Sequence, residues 1–107
     1  IMTNDQILKA ILSINPNAIL LLEQNMDKIY WYYLSMNPNA IHILEQNIDK
    51  INWNSLSSNP KAIRLLEQNI DKINWTTLSS NQNIFKYDED DLNIQFAKLT
   101  IISKAFK

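Results

Sequence analysis

The sequence predicts an all-α, short two-helix tandem-repeat solenoid with helical caps at both ends. Three observations carry that reading: a 22-residue motif recurs in register, each copy opens on Asn-Pro ahead of an apolar run, and the flanking segments depart from the motif. The copies are NPNAILLLEQNMDKIYWYYLSM (Asn15 to Met36), NPNAIHILEQNIDKINWNSLSS (Asn37 to Ser58) and NPKAIRLLEQNIDKINWTTLSS (Asn59 to Ser80). The second and third agree at 17 of 22 positions and the first and second at 15 of 22, in one register throughout. Units of this size stack on their neighbours and share a continuous core. The 107 residues therefore read as a single repeat domain: a cap helix over 1–14, repeats over 15–36, 37–58 and 59–80, and a degenerate repeat with a second cap helix over 81–107.

Each unit opens with a helix-start signal. Asn15, Asn37 and Asn59 suit an N-cap, and Pro16, Pro38 and Pro60 suit the first helical position, where a missing N–H costs nothing. In the first unit Ala18, Ile19, Leu21 and Leu22 then fall on an arc of roughly 160° at the helical period, with Asn17, Leu20 and Gln24 outward. The chain has no glycine but fifteen asparagines, so Asn25, Asn47 and Asn69 are expected to end these helices in the left-handed region.

The second half of the unit is less regular. Ile51 and Trp53 are two apart, so one regular helix cannot aim both at the same core, whereas Trp53 and Leu56 can share a face. Asp49-Lys50-Ile51 reads as a turn that tucks Ile51 inward. Asn52 then caps a short helix from Trp53 to Ser57, as Asn74 does from Trp75 to Ser79; Tyr30 replaces the cap in the first unit. The competing reading makes Ile-x-Trp a short strand of a leucine-rich-repeat-like βα coil, although three residues make a poor strand. The predicted core is Ile19, Leu22, Ile29, Trp31 and Leu34 in the first unit, Ile41, Leu44, Ile51, Trp53 and Leu56 in the second, and Ile63, Leu66, Ile73, Trp75 and Leu78 in the third. Each Trp, if fully hidden, removes some 150–250 Å² from water. Asn, Glu, Gln, Asp and Ser positions in register are expected to form a polar ladder between units, with Asn47 a member.

The ends should cover an open core with a polar outer face. Ile7 to Ile14 align with the second half of a unit, Leu12 and Ser13 matching Leu34 and Ser35. Asn81-Gln82-Asn83-Ile84-Phe85 starts a fourth unit and then departs. After the acidic run Asp88-Glu89-Asp90-Asp91, the spacing of Leu92, Phe96, Leu99, Ile102 and Phe106 predicts an amphipathic helix resting on these residues. Lys98, Lys104 and Lys107 lie toward its C-terminus, complementary to the helix dipole.

Chemistry finds little support. His42 is the single histidine and sits where Leu20 and Arg64 stand in the other units, which favours a surface role over metal ligation. Ser35, Ser57 and Ser79 recur without an accompanying base, so a nucleophile has no partner. Glu23, Glu45 and Glu67 with Asp27, Asp49 and Asp71 repeat identically, as solvated stripes or salt links to Lys28, Lys50 and Lys72 would. A phosphate-binding glycine loop needs glycine. Asn74-Trp75-Thr76 is a glycosylation sequon by form only, at the start of a helix expected to be buried. Cysteine is absent, and with it disulfides and thiolate metal sites. No enzyme activity, cofactor, metal or small-molecule substrate is expected. A net charge of −1 gives no footprint for nucleic acid or anionic lipid, and no apolar run approaches a membrane span. Ile1-Met2-Thr3-Asn4-Asp5 lacks a signal peptide's basic and apolar regions, and Ile ahead of Met reads as a remnant or as a fragment of a longer protein.

The unit NPxAIxxLEQNxDKIxWxxLS resembles a repeat of proteins from giant, amoeba-infecting DNA viruses of the mimivirus type. The close Asn83-Ile84-Phe85-Lys86-Tyr87-Asp88 followed by an amphipathic helix resembles the way those arrays end. The similarity spans residues 12 to 106, and departs from the family pattern at Met26, Ile48 and Ile70, where proline is often expected. The resemblance implies viral origin, α-helical repeat architecture and an intracellular place in the infected host cell or virion; it implies no activity.

Function is then sought in what varies between units. The candidate partner surface comprises Leu20, Tyr30, Tyr32, Tyr33, Met36, His42, Asn54, Lys61, Arg64 and Thr76. Tyr30, Tyr32, Tyr33 and Met36 replace small polar residues, and Tyr and Met favour interfaces; packing of these side chains on the N-terminal cap helix explains them as well. The favoured reading is a non-catalytic scaffold for a protein partner. The alternative, a nucleic-acid-binding helical repeat, needs aligned basic residues, and only Lys61 and Arg64 offer an outward pair.

Overall fold

The computed structural model describes residues 1–106; Lys107, expected at the C-terminal helix end, lies outside the described residues. Its regular elements are helical, and no strand occurs among the described residues, which settles the Ile-x-Trp segment against the βα coil. Helix α1 (Asn4–Ile14) leads into three units of one design. Each has a five-residue helix, a 3₁₀ turn and a four-residue helix: α2 (Ile19–Glu23) and α3 (Trp31–Leu34), α4 (Ile41–Glu45) and α5 (Trp53–Leu56), α6 (Ile63–Glu67) and α7 (Trp75–Leu78). Helix α8 (Leu92–Ala105) packs back on α6. Helices of four or five residues do not persist alone in water, so stacking holds them.

The Asn-Pro signal opens a turn rather than a helix. Asn15, Asn37 and Asn59 accept the N–H of the residue two on through the side chain and the N–H of Ala18, Ala40 and Ala62 through the carbonyl. Helices start after those alanines, not at the prolines, because the asparagine turn offers the backbone hydrogen bonds before helical geometry is reached. The left-handed ends are also absent: no described residue has positive φ, and Asn25, Asn47 and Asn69 lie near φ −142°, −138° and −137°. Each instead donates its side-chain amide to a carbonyl of its own helix, from Leu21, Ile43 or Leu65. A 3₁₀ turn follows directly, so the chain reverses without glycine.

The second half-unit behaves as its spacing suggested. Ile29, Ile51 and Ile73 follow the 3₁₀ turns and are buried to the same degree, 7% exposed. Asn52 and Asn74 cap α5 and α7 by accepting the N–H of Ser55 and Thr77; Tyr30 makes no such bond at α3.

Leu22, Leu34, Leu44, Leu56 and Leu66 are fully buried and form the core with Ile63 and Leu78. Ile19 and Ile41 are half-buried against it. Among the tryptophans, Trp75 departs from expectation. Trp31 and Trp53 are half-buried and packed against the core, as Ile19 and Ile41 are, while Trp75 is 40% exposed and lies outside it. The indoles lie along the stack's flank, where the next unit supplies a lysine: Lys50 Nζ is 5.8 Å from the Trp31 ring and Lys72 Nζ 5.2 Å from that of Trp53. Leu21 differs too, at 49% exposed against 2% for Ile43 and Leu65 at the same position, where α1 stands before it in place of a five-residue repeat helix.

The caps differ most from the sequence reading. Leu92, Phe96, Leu99 and Phe106 point to solvent at 51–85% exposure, and of the predicted stripe Ile102 alone leans on the core. The buried face is Ala97, Lys98 and Ile101, flanked by Ile94. The helix carries apolar residues on both sides, so spacing could not choose between them. Ala97 lets α8 approach closely, and Lys98, 1% exposed, donates from Nζ to Asn83 Oδ1 at 2.9 Å and the Lys86 carbonyl at 2.8 Å. The outer face of α1 is likewise apolar rather than polar, with Ile7, Leu8, Ile11 and Ile14 exposed.

Candidate functional site

Between successive units runs one repeated set of polar contacts. The side-chain amide of Asn37 donates to the carbonyls of Ser13 and Asn15, that of Asn59 to Ser35 and Asn37, and that of Asn81 to Ser57 and Asn59, all between 2.9 and 3.1 Å. These asparagines are 0–3% exposed. A second strut uses serine: Ser13, Ser35 and Ser57 accept, through Oγ, the backbone N–H of Tyr30, Asn52 and Asn74 in the next unit. Ser35 and Ser57 donate the same hydroxyl to Trp31 and Trp53 carbonyls of their own helices. Every buried side-chain polar atom among the described residues has a partner. Ser35 and Ser57 are therefore occupied struts, Ser13 takes the role its alignment with Ser35 implied, and Ser79, exposed, only donates to the Thr76 carbonyl of its own helix. Asn47 is not a rung; its amide stays within its unit.

On this frame the variable residues form two rows. Leu20, His42 and Arg64 occupy the second position of α2, α4 and α6 and are all exposed. His42 Nε2 lies 2.7 Å from Glu23 Oε1 of the preceding unit, while Arg64 Nε lies 3.8 Å from Glu67 Oε1 of its own helix. Tyr32, Asn54 and Thr76 hold the matching position of α3, α5 and α7 and are also exposed, with Asn54 Oδ1 accepting from Asn74 Nδ2 at 2.7 Å.

The ten candidate residues do not gather into one patch. Tyr30, Tyr33 and Met36 are half-buried, and α3 packs on α1, so part of the aromatic edge is internal. Tyr33 takes the rings of Tyr30 and Tyr32 edge-on, each at 5.0 Å between centroids, which holds Tyr32 upright at 46% exposure. Lys61 lines a crevice with Asp88 and Asp91. Among the described residues no group of three or more His, Cys, Asp or Glu side chains converges as a metal site requires, and no helix is long and apolar enough to cross a membrane. Two open clefts are apolar, one of about 190 Å³ beside Trp75, Ile84, Phe85 and Phe106 and another of about 210 Å³ between Leu8, Leu12 and Leu21, whereas one of about 490 Å³ beside Glu45, Gln68 and Asn69 is mainly polar.

The expected polar ladder between units exists for Asn and Ser, but it runs through Asn37, Asn59 and Asn81 rather than Asn47; the buried Lys98 and the outward α8 stripe were missed. The rungs carried a signal: Asn37, Asn59 and Asn81 keep the period where their neighbours vary, and Asn81 keeps it in the unit that otherwise breaks down. No protein-family model, curated protein or solved structure matches the chain.

Proposed function

We propose that this chain is a non-catalytic protein-binding scaffold, reading its partner through the two exposed rows on an otherwise repeated frame. The observation that supports it is the contrast between them. Rungs, struts and core leucines recur atom for atom, whereas Leu20, His42, Arg64 and Tyr32, Asn54, Thr76 change from unit to unit on the outside. A protein surface can read such chemically mixed rows, apolar, aromatic, amide and cationic in turn. Nucleic acid is the weaker reading, since Lys61 and Arg64, its outward cations, sit beside Asp88, Asp91 and Glu67. We further propose, on the likeness of the repeat, a giant-virus origin and a partner in the infected cell or the virion.

The test immobilises the chain and a Tyr32→Ala, His42→Ala, Arg64→Ala variant against lysate of infected amoebae. The reading expects a protein retained by the first and lost from the second. Equal retention by both, or salt-sensitive retention of nucleic acid in a low-salt filter-binding assay, overturns it.

A further inference from the structure

The α8 stripe has a regular geometry of its own. Leu92, Phe96, Leu99, Ser103 and Phe106 are spaced 4, 3, 4 and 3, a heptad seam confined to an arc of about 80° at the helical period. The buried Ala97, Lys98 and Ile101 lie on the opposite side of the helix, so Leu92, Phe96, Leu99 and Ser103 face away from the solenoid, while Phe106, the cap residue after α8, borders the cleft beside Trp75. Its four large apolar members are 61, 62, 51 and 85% exposed in chain order. A seam of this kind is the half-interface of a two-helix pair. The chain also supplies charges that choose the occupant: in the acidic run that precedes α8, Asp88 and Asp91 border Lys61 while Glu89 and Asp90 are exposed, and Lys104 stands in the last turn of the helix.

We propose that α8 is a homodimer interface, its seam covered by α8 of a second copy running antiparallel about a two-fold axis near Leu99. This orientation lays the acidic run of one copy beside Lys104 of the other, twice by symmetry, and opposes the two helix dipoles. It also places Phe96 across from the small Ser103 and Leu92 across from Phe106, pairing large with small at one layer and closing the outer layer with an aromatic ring. A parallel pair would instead stack four acids on four. The other exposed apolar helix, α1, lacks this polarity, because Asp5 is already paired with Lys9 at 3.0 Å. Two 14-residue helices, each about 21 Å long, lie at the small end of specific interfaces, so the dimer is expected in the micromolar range. The proposal uses a surface separate from the two rows and does not depend on the partner reading above.

The experiment is sedimentation equilibrium of the full chain across micromolar concentrations, alongside F96K, I11K and two single-cysteine variants. The chain has no cysteine of its own, so each introduced thiol reports one position. A monomer–dimer equilibrium is expected, abolished by F96K with its circular dichroism unchanged, weakened by salt and indifferent to I11K. Under mild oxidation L99C should crosslink to a dimer, since its thiols meet near the axis, while L92C should not, its Cα atoms being about 21 Å apart and far beyond the ~7 Å a disulfide tolerates. A monomer at all concentrations, a dimer lost with I11K instead of F96K, or crosslinking of L92C overturns the proposal.

Discussion

Replacing one rung residue should cost more than its size suggests. Asn59→Ala removes two donations to the junction of the first and second units, at 3.0 and 3.1 Å, and the acceptor that closes the Asn-Pro turn on the Lys61 N–H at 3.0 Å. At about 0.5–1.5 kcal/mol for each hydrogen bond, these sum to about 1.5–4.5 kcal/mol. The carbonyl of Asn37 keeps the Ala40 N–H, but that of Ser35 loses this donor inside the protein, which adds about 1–3 kcal/mol. A loss of about 2.5–7.5 kcal/mol is a large part of the ~5–15 kcal/mol that holds a domain of this size. Asn47→Ala removes one half-buried bond within its own helix, worth about 1 kcal/mol. Urea unfolding of both variants measures the difference, with Asn59→Asp as a third member that keeps the turn acceptor and puts a carboxylate against two carbonyls. The expected order is Asn47→Ala mildest, Asn59→Ala in the middle and Asn59→Asp worst. Equal midpoints for the two alanine variants would refute the claim that the rungs, rather than asparagines in general, join the units.

Trp53→Leu should destabilise more than Trp75→Leu, because Trp53 lies under Lys72 while Trp75 is 40% exposed; thermal melts give the order. Lys72→Gln should remove about 0.5–1 kcal/mol in the wild-type background and nothing further in Trp53→Leu, a double-mutant cycle that reads the cation–π contact alone. Lys98→Met, although it hides a similar volume, should cost about 1–3 kcal/mol by stripping Asn83 Oδ1 and the Lys86 carbonyl of their donor, with amide exchange rising first in α8. Asn52→Ala should cost about 0.5–2 kcal/mol through the lost α5 cap; no change in denaturant midpoint would remove Asn52 from that role.

Periodicity carried most of the fold because it is a many-residue signal. Leu22, Leu44 and Leu66 are buried alike, and the turn at Asp49-Lys50-Ile51, the Asn52 cap and the Ser13 equivalence all follow from local chemistry at fixed offsets. What failed depended on tertiary choices that two equivalent local patterns leave open. Asn37 can cap a helix or close a turn, and the neighbouring unit's carbonyls favour the turn, since its amide is then free to reach them. Helix α8 is apolar on opposite faces, and the decision fell to Lys98, whose ammonium found two oxygens in the degenerate unit. The tryptophans read as core because they recur at the period, yet Trp31 and Trp53 sit where the lysine 19 residues on covers the ring (Trp31–Lys50, Trp53–Lys72). Of the candidate surface, the variable positions were legible as variable. That they divide into two rows required the helix boundaries.

The asparagine rungs have a consequence for the growth of such a chain. Each join uses the same donor and the same pair of acceptors, so a further 22-mer spliced between any two units would meet on both sides atoms identical to those it displaces. Nothing in the interior measures length. Only α1 and the α8 helix pinned by Lys98 are singular, and they alone would resist duplication.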